Sequence, residues 1–137
     1  MDAYVGKTIS SIEAQGLNRI EKDAVLGKLQ SRAGQPLEAS KIREDIRRFL
    51  REKGCDRAVA VWCGSTEVYI APTAVHESIE AFEAGLLAND PAISNSQIYA
   101  WACMKEGVPY ANGAPNLTVD FPAAWELAKK LGVPVVA

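Results

Sequence analysis

The run Ala58-Val59-Ala60-Val61-Trp62 constrains the fold of this chain more than any other stretch. It is short, wholly apolar and bounded by Asp56 and Gly64. Continuous rather than alternating hydrophobicity belongs to a strand covered on both faces, as in a parallel sheet. Parallel strands cannot be joined by a tight hairpin. Each needs a crossover, usually helical, so the flanking sequence must supply helices.

It does. Residues 38–53 carry Ile42, Ile46, Phe49 and Leu50 at i, i+4, i+7 and i+8, which predicts a helix stopped by Gly54. Residues 74–88 set Val75, Ile79, Phe82 and Leu86 on one side and predict a second helix, broken by Asn89-Asp90-Pro91. Residues 95–106 predict a third, ended by Gly107, and Val108 to Asn112 a short extended piece running into Gly113-Ala114-Pro115. Residues 122–131 predict a helix with proline in its first turn, stopped by Gly132, and Val133 to Val136 a last strand. Nearer the N-terminus, Val5, Ile9 and Ile12 predict a half-buried strand over 4–15. Val25, Leu26 and Leu29 predict a helix over 21–33, with Gly34 and Pro36 after it. The order predicts an α/β fold: a short, mostly parallel, Rossmann-like sheet flanked by helices, in one compact domain over 1–137.

Composition narrows the function classes. The 137 residues are 48% hydrophobic and 23% charged, ordinary for a globular domain. With 15 basic and 17 acidic residues the net charge is −2, which gives no electrostatic case for nucleic acid or an anionic membrane. Three cysteines (Cys55, Cys63 and Cys103) in no tight pattern argue against a disulfide framework, and no CxxC pair points to a structural zinc. No secretory leader or membrane-length apolar run is present, so a cytoplasmic setting is the expectation.

Two stretches resemble different families. Ile12-Glu13-Ala14-Gln15-Gly16, Asn18-Arg19-Ile20, Gly34-Gln35-Pro36-Leu37 and Lys41-Ile42-Arg43-Glu44-Asp45-Ile46 make residues 5–50 similar to a POTRA domain of outer-membrane assembly factors. That likeness implies a β-α-α segment that docks other chains, although the two closing strands of such a domain are missing. Residues 41–136 resemble an internal piece of myo-inositol-1-phosphate synthase, on Gly54-Cys55-Asp56-Arg57, Val61-Trp62-Cys63-Gly64-Ser65-Thr66-Glu67, His76 to Glu83, and Glu106 to Thr118. This second resemblance implies an NAD-dependent isomerisation of glucose 6-phosphate. It also implies cofactor contacts from Cys63, Gly64, Ser65 and Thr66 in one loop and from Gly113 and Ala114 in another, with Asn112 and Asn116 beside it. Small residues just after a strand let backbone amides approach a phosphate. Read without the resemblance, Gly64-Ser65 and Asn112-Gly113 are ordinary turns.

Other candidates carry less. His76, the only histidine, stands at a predicted helix start and reads as a partly exposed helix residue rather than a general base. Cys63 reads as a small buried hydrophobe rather than a reactive thiol. Glu77, Glu80 and Glu83 read as a solvent face rather than a carboxylate site, and Arg43, Arg47, Arg48 and Arg51 as a solvated face rather than a phosphate patch. The chain has no GxGxxG turn and none of the catalytic lysine segments of the synthase it resembles, and Lys129 and Lys130 do not replace them.

The two resemblances overlap in the helix over 41–50. Together they predict a recombined or designed chimera acting as a non-catalytic protein-interaction module, with self-association or a protein partner and no required cofactor. The alternative is a catalytically incomplete, NAD-binding fragment of inositol-1-phosphate synthase.

Overall fold

The apolar stripe of Ile42, Ile46 and Leu50 winds into helix α1 (Ala39–Lys53) in the computed structural model, which describes residues 38–64 and 67–137. Gly54 closes the helix in the left-handed region (φ 59°), its amide returning to Arg51 and Leu50. The chain then runs through strand β1 (Ala60–Trp62), a single 3₁₀ turn (Ala74–His76), α2 (Ile79–Ala88), α3 (Asn95–Lys105), β2 (Tyr110–Asn112), α4 (Pro122–Leu131) and β3 (Val135–Val136).

The described strands form one parallel sheet in the order β1-β2-β3. Ala60 pairs with Tyr110, Trp62 with Asn112, and Tyr110 with Val135. The expected parallel α/β class is thus what these residues adopt. The strand predicted over 4–15 and the helix predicted over 21–33 lie outside the described residues.

Burial is uneven across the sheet. On one face Tyr110 is buried, and Ala60, Trp62 and Val135 pack against the core formed by Ile79, Phe82, Ile93, Met104, Phe121 and Leu127. Each large apolar side chain so buried contributes about 1.5–3 kcal/mol relative to exposure. On the other face Val59, Val61 and Val136 are 61–64% exposed. The two-sided burial expected of Ala58–Trp62 is therefore corrected: among the described residues the core lies on one face only.

The helix predicted over 74–88 is divided. Ser78 is extended, and its hydroxyl accepts from the Ala81 amide as the N-cap of α2. The basic face of α1 is also neither a phosphate patch nor merely solvated. Arg43 and Arg47 both donate to the Glu106 carboxylate at 2.5 Å, fixing α1 to the end of α3. Burial opposes ionisation of Glu106, but the hydrogen bonds and charges of Arg47 and Arg43 outweigh it and hold the carboxyl below its usual range.

Candidate functional site at the carboxyl ends of the strands

β1 and β2 end side by side, at Trp62 and Asn112. One residue further, the Gly113 amide donates to the Trp62 carbonyl at 2.8 Å. A Cβ on Gly113 would stand 2.9 Å from that oxygen and 4.0 Å from Cys63 Sγ, so no side chain fits between the strand ends. At Gly64 the restriction is softer: a Cβ would meet the Trp62 indole at 3.2 Å. Cys63, Gly64 and Gly113 are exposed and Ala114 is half-buried. Four of the six residues singled out from the sequence (Cys63, Gly64, Gly113 and Ala114) thus share one rim of the sheet, and Ser65 and Thr66 lie outside the described residues. Cys63 is correspondingly not the buried hydrophobe expected of it.

Asn112 shapes the second loop. Its Nδ2 donates to the carbonyls of Ala114 and Asn116, both at 2.9 Å, and its Oδ1 accepts from the Ala114 amide at 3.1 Å. The amides of Gly113 and Ala114 are therefore both engaged within the protein. The amides that were expected to turn toward a phosphate are, at these two positions, taken up by the Trp62 carbonyl and the Asn112 side chain. Beneath Gly64, the Trp62 indole Nε1 is buried without a hydrogen-bond partner, 3.3 Å from where a Cβ would sit.

Behind the rim, the first turn of α3 gathers three loops. Ser94 and Gln97 form a capping box, each side chain bonding the other's amide. Gln97 Oε1 also receives His76 Nε2 at 3.2 Å, and Gln97 Nε2 donates to the Leu117 carbonyl at 3.0 Å. His76 Nδ1 accepts from the Thr73 amide at 3.0 Å, so Nε2 carries the proton it donates to Gln97. With both ring nitrogens engaged, 1% exposure and an edge-on contact to Phe121, His76 is a buried structural residue, not a partly exposed one. The spacing Thr73-x-x-His76 was the overlooked signal.

Glu67 carries part of the family resemblance but no role was expected of it. Its carboxylate accepts from the Ser96 amide at 3.0 Å and from the Ser96 hydroxyl at 2.5 Å, at the positive end of α3. A contact across 29 residues has no local sequence pattern. The signal available was the Ser94-x-x-Gln97 box, which marks a helix start whose free amides need acceptors. Glu77 and Glu80 are exposed, and Glu83 binds Lys105 at 3.0 Å and Trp101 Nε1 at 3.3 Å. Among the described residues no cluster of three or more His, Cys, Asp or Glu could hold a metal ion, and no helix is long and apolar enough to cross a membrane.

A parallel sheet with glycine-bearing loops at the carboxyl ends of adjacent strands belongs to the open α/β proteins, whose ligands lie outside those ends. Comparison with known proteins makes the class specific. A family model for the NAD-binding domain of myo-inositol-1-phosphate synthase matches residues 9–137. Inositol-3-phosphate synthase 1 of Bacteroides thetaiotaomicron is 43% identical over 95 residues, covering 69% of this chain and 22% of that protein. The rice (Oryza sativa subsp. japonica) inositol-3-phosphate synthase 1 is 33% identical over 115 residues, covering 79% of this chain and 22% of the relative. The crystal structure of inositol-3-phosphate synthase from Caenorhabditis elegans superposes with a TM-score of 0.68 at 27% identity, covering 80% of this chain and 23% of that one.

The chain belongs to the myo-inositol-1-phosphate synthase family. It spans about a fifth of the length of these relatives. This overturns the chimera and the interaction module. One family model runs unbroken from residue 9 through the supposed junction at 41–50, and nothing supports a POTRA domain. The amphipathic stripe of α1 satisfied both patterns because it is a generic helical spacing.

The residues present fit the cofactor of that family. Gly113 lies where a Cβ would collide with backbone, Gly64 where one would press on the Trp62 indole, and the Trp62 Nε1 is a buried donor without a partner beneath the rim. Cys63, Gly64 and Gly113 would form the contact surface.

Proposed function

We propose that this chain supplies part of the NAD site of an inositol-phosphate synthase, and that the rim of Cys63, Gly64 and Gly113 is its contact surface. The observation that carries this reading is the paired constraint at the strand ends: Gly113 cannot bear a side chain and Gly64 tolerates one only if Trp62 yields. When bound, NAD supplies the hydride acceptor that redox-assisted isomerisation of a sugar phosphate requires. This chain's share is to offer an edge of small residues, to keep the Gly113 and Ala114 amides engaged, and to hold the loops on α3. Because those amides are engaged, the rim suits the ring or ribose portions of a dinucleotide better than its pyrophosphate.

The catalytic part of the reading is that this stretch does not turn over glucose 6-phosphate by itself. Among the described residues the side chains gathered at the rim offer no lysine, and Lys129 and Lys130 are exposed on α4. Titration calorimetry of the 137-residue chain with NAD is expected to show weak binding that Gly113→Val abolishes. Absence of heat in the unsubstituted chain, or equal binding by the variant, overturns the assignment. A coupled assay with glucose 6-phosphate and NAD is expected to give no product.

A further inference from the structure

We infer that Glu67 is the positioning residue of this cofactor rim: its carboxylate, seated on α3, holds the β2 loop through Asn116 at the strand ends. The inference rests on the NAD reading above. Two loops that must hold one ligand need a defined spacing, and backbone pairing fixes that spacing only as far as Gly113. Beyond it the link is made by side chains, and they converge on residue 67.

The Glu67 amide donates to Asn116 Oδ1 at 3.1 Å, while Asn116 Nδ2 lies 3.4 Å from Glu67 Oε2. The two residues thus hold each other reciprocally across the loops. Asn116 passes the constraint on, because its carbonyl receives Asn112 Nδ2, and Asn112 in turn fixes Ala114. From behind, Thr118 Oγ1 donates to Ser96 Oγ at 3.0 Å, and Ser96 Oγ donates to Glu67. Thr118 and Ser96 are both fully buried, so this chain of donors runs out of water toward one carboxylate. Such directed chains are mutually strengthening where water is excluded. The carboxylate is thus held by the Ser96 amide, the Ser96 hydroxyl and the Asn116 amide group at once, a set of donors that only an acceptor-only side chain satisfies.

The test compares Glu67→Gln with the double variant Glu67→Gln/Asn116→Asp. The first puts an amide NH₂ against Asn116 Nδ2. The second restores a donor–acceptor pair with reversed polarity and the original local charge. NAD affinity by calorimetry is expected to fall about tenfold or more in Glu67→Gln and to recover most of that loss in the double variant. Val133→Ala, a core truncation away from the loops, serves as a stability control and is expected to bind NAD normally while lowering the unfolding midpoint. Unchanged affinity in Glu67→Gln overturns the inference. So does a loss without recovery in the double variant, because a merely structural effect would behave that way. Amide hydrogen exchange at Ala114, Asn116 and Thr118 separates this failure from that of the NAD reading. If the unsubstituted chain binds no NAD, the cofactor assignment fails. If those amides are equally protected in Glu67→Gln, the bridge itself fails.

Discussion

The loops after β1 and β2 leave the sheet at paired positions but are held in opposite ways. The β2 loop supports itself: Asn112 makes three bonds to backbone within four residues, and Gly113 continues the sheet hydrogen bonding onto Trp62. On the β1 side Glu67 is held from outside, by a helix that begins 28 residues later in the chain, at Asn95. The difference shows how a ligand edge can be built from one preformed wall and one wall positioned against it. Local sequence specifies the first, and tertiary contact specifies the second.

The sharpest way to break this contrast is at Gly113. Gly113→Val forces a side chain against the Trp62 carbonyl, which is backbone and cannot rotate away. A destabilisation of about 1–3 kcal/mol is expected, read as a drop in the denaturant midpoint, with loss of NAD binding. Asn112→Ala comes next. It leaves the Ala114 amide without its acceptor and takes one of two donors from the Ala114 and Asn116 carbonyls, which keep the Asn116 and Thr118 amides, at a cost of about 1–3 kcal/mol where the freed amide is shielded from water. Hydrogen exchange should show the loss of protection confined to 113–118. Spread of that loss to the Ser96 amide would show that the contacts of Glu67 carry it from the β2 loop into α3.

Gly64→Ala is the matched partner of the Gly113 variant and should be far milder. The atoms a new methyl meets belong to the Trp62 side chain, which can shift by a few tenths of an ångström. A stability change under about 1 kcal/mol is expected, with a larger effect on NAD affinity than on the unfolding midpoint. Equal stability losses at the two glycines would show that the β1 loop is as rigid as the β2 loop.

The legibility of the sequence followed the same division. Helix α1 was visible from Ile42, Ile46, Phe49 and Leu50, and its end from Gly54, because periodicity and a left-handed cap are local properties. Pro122 and Gly132 bracketed α4 for the same reason. The rim residues Cys63, Gly64, Gly113 and Ala114 were found through family resemblance, not through spacing. What was missed is non-local. Glu67 and Ser96 meet across 29 residues, and His76 is buried only because Gln97 and Phe121 close over it. The break before α2 was hidden by helix-compatible residues on both sides of Ser78. The two-sided burial read into Ala58–Trp62 is not found among the described residues, because hydrophobicity says that a face is apolar, not what covers it.

Two cysteines give the smallest and most local test of the same contrast. Cys63 is exposed on the rim, whereas Cys103 is 6% exposed in α3. In a Cys55→Ser background a thiol reagent should modify Cys63 quickly and Cys103 only at the rate of unfolding, and NAD should slow the first reaction alone. Burial pushes the Cys103 thiol from its ordinary value near 9 up to about 11. Between those values the unfolded chain has released the thiol proton and the folded chain has not. Stability must therefore decline as pH rises through this window, by at most about 1.4 kcal/mol per pH unit. Burial shifts the Tyr110 hydroxyl upward too, which adds a decline of the same sign at higher pH. Cys103→Ala should flatten the thiol's part of the slope while leaving Cys63 labelling and its protection by NAD unchanged. A steep alkaline loss that survives this substitution, together with slower labelling of Cys63, would mean that the core of α3 and the rim are coupled more tightly than the contacts of Glu67, Ser96 and Gln97 allow.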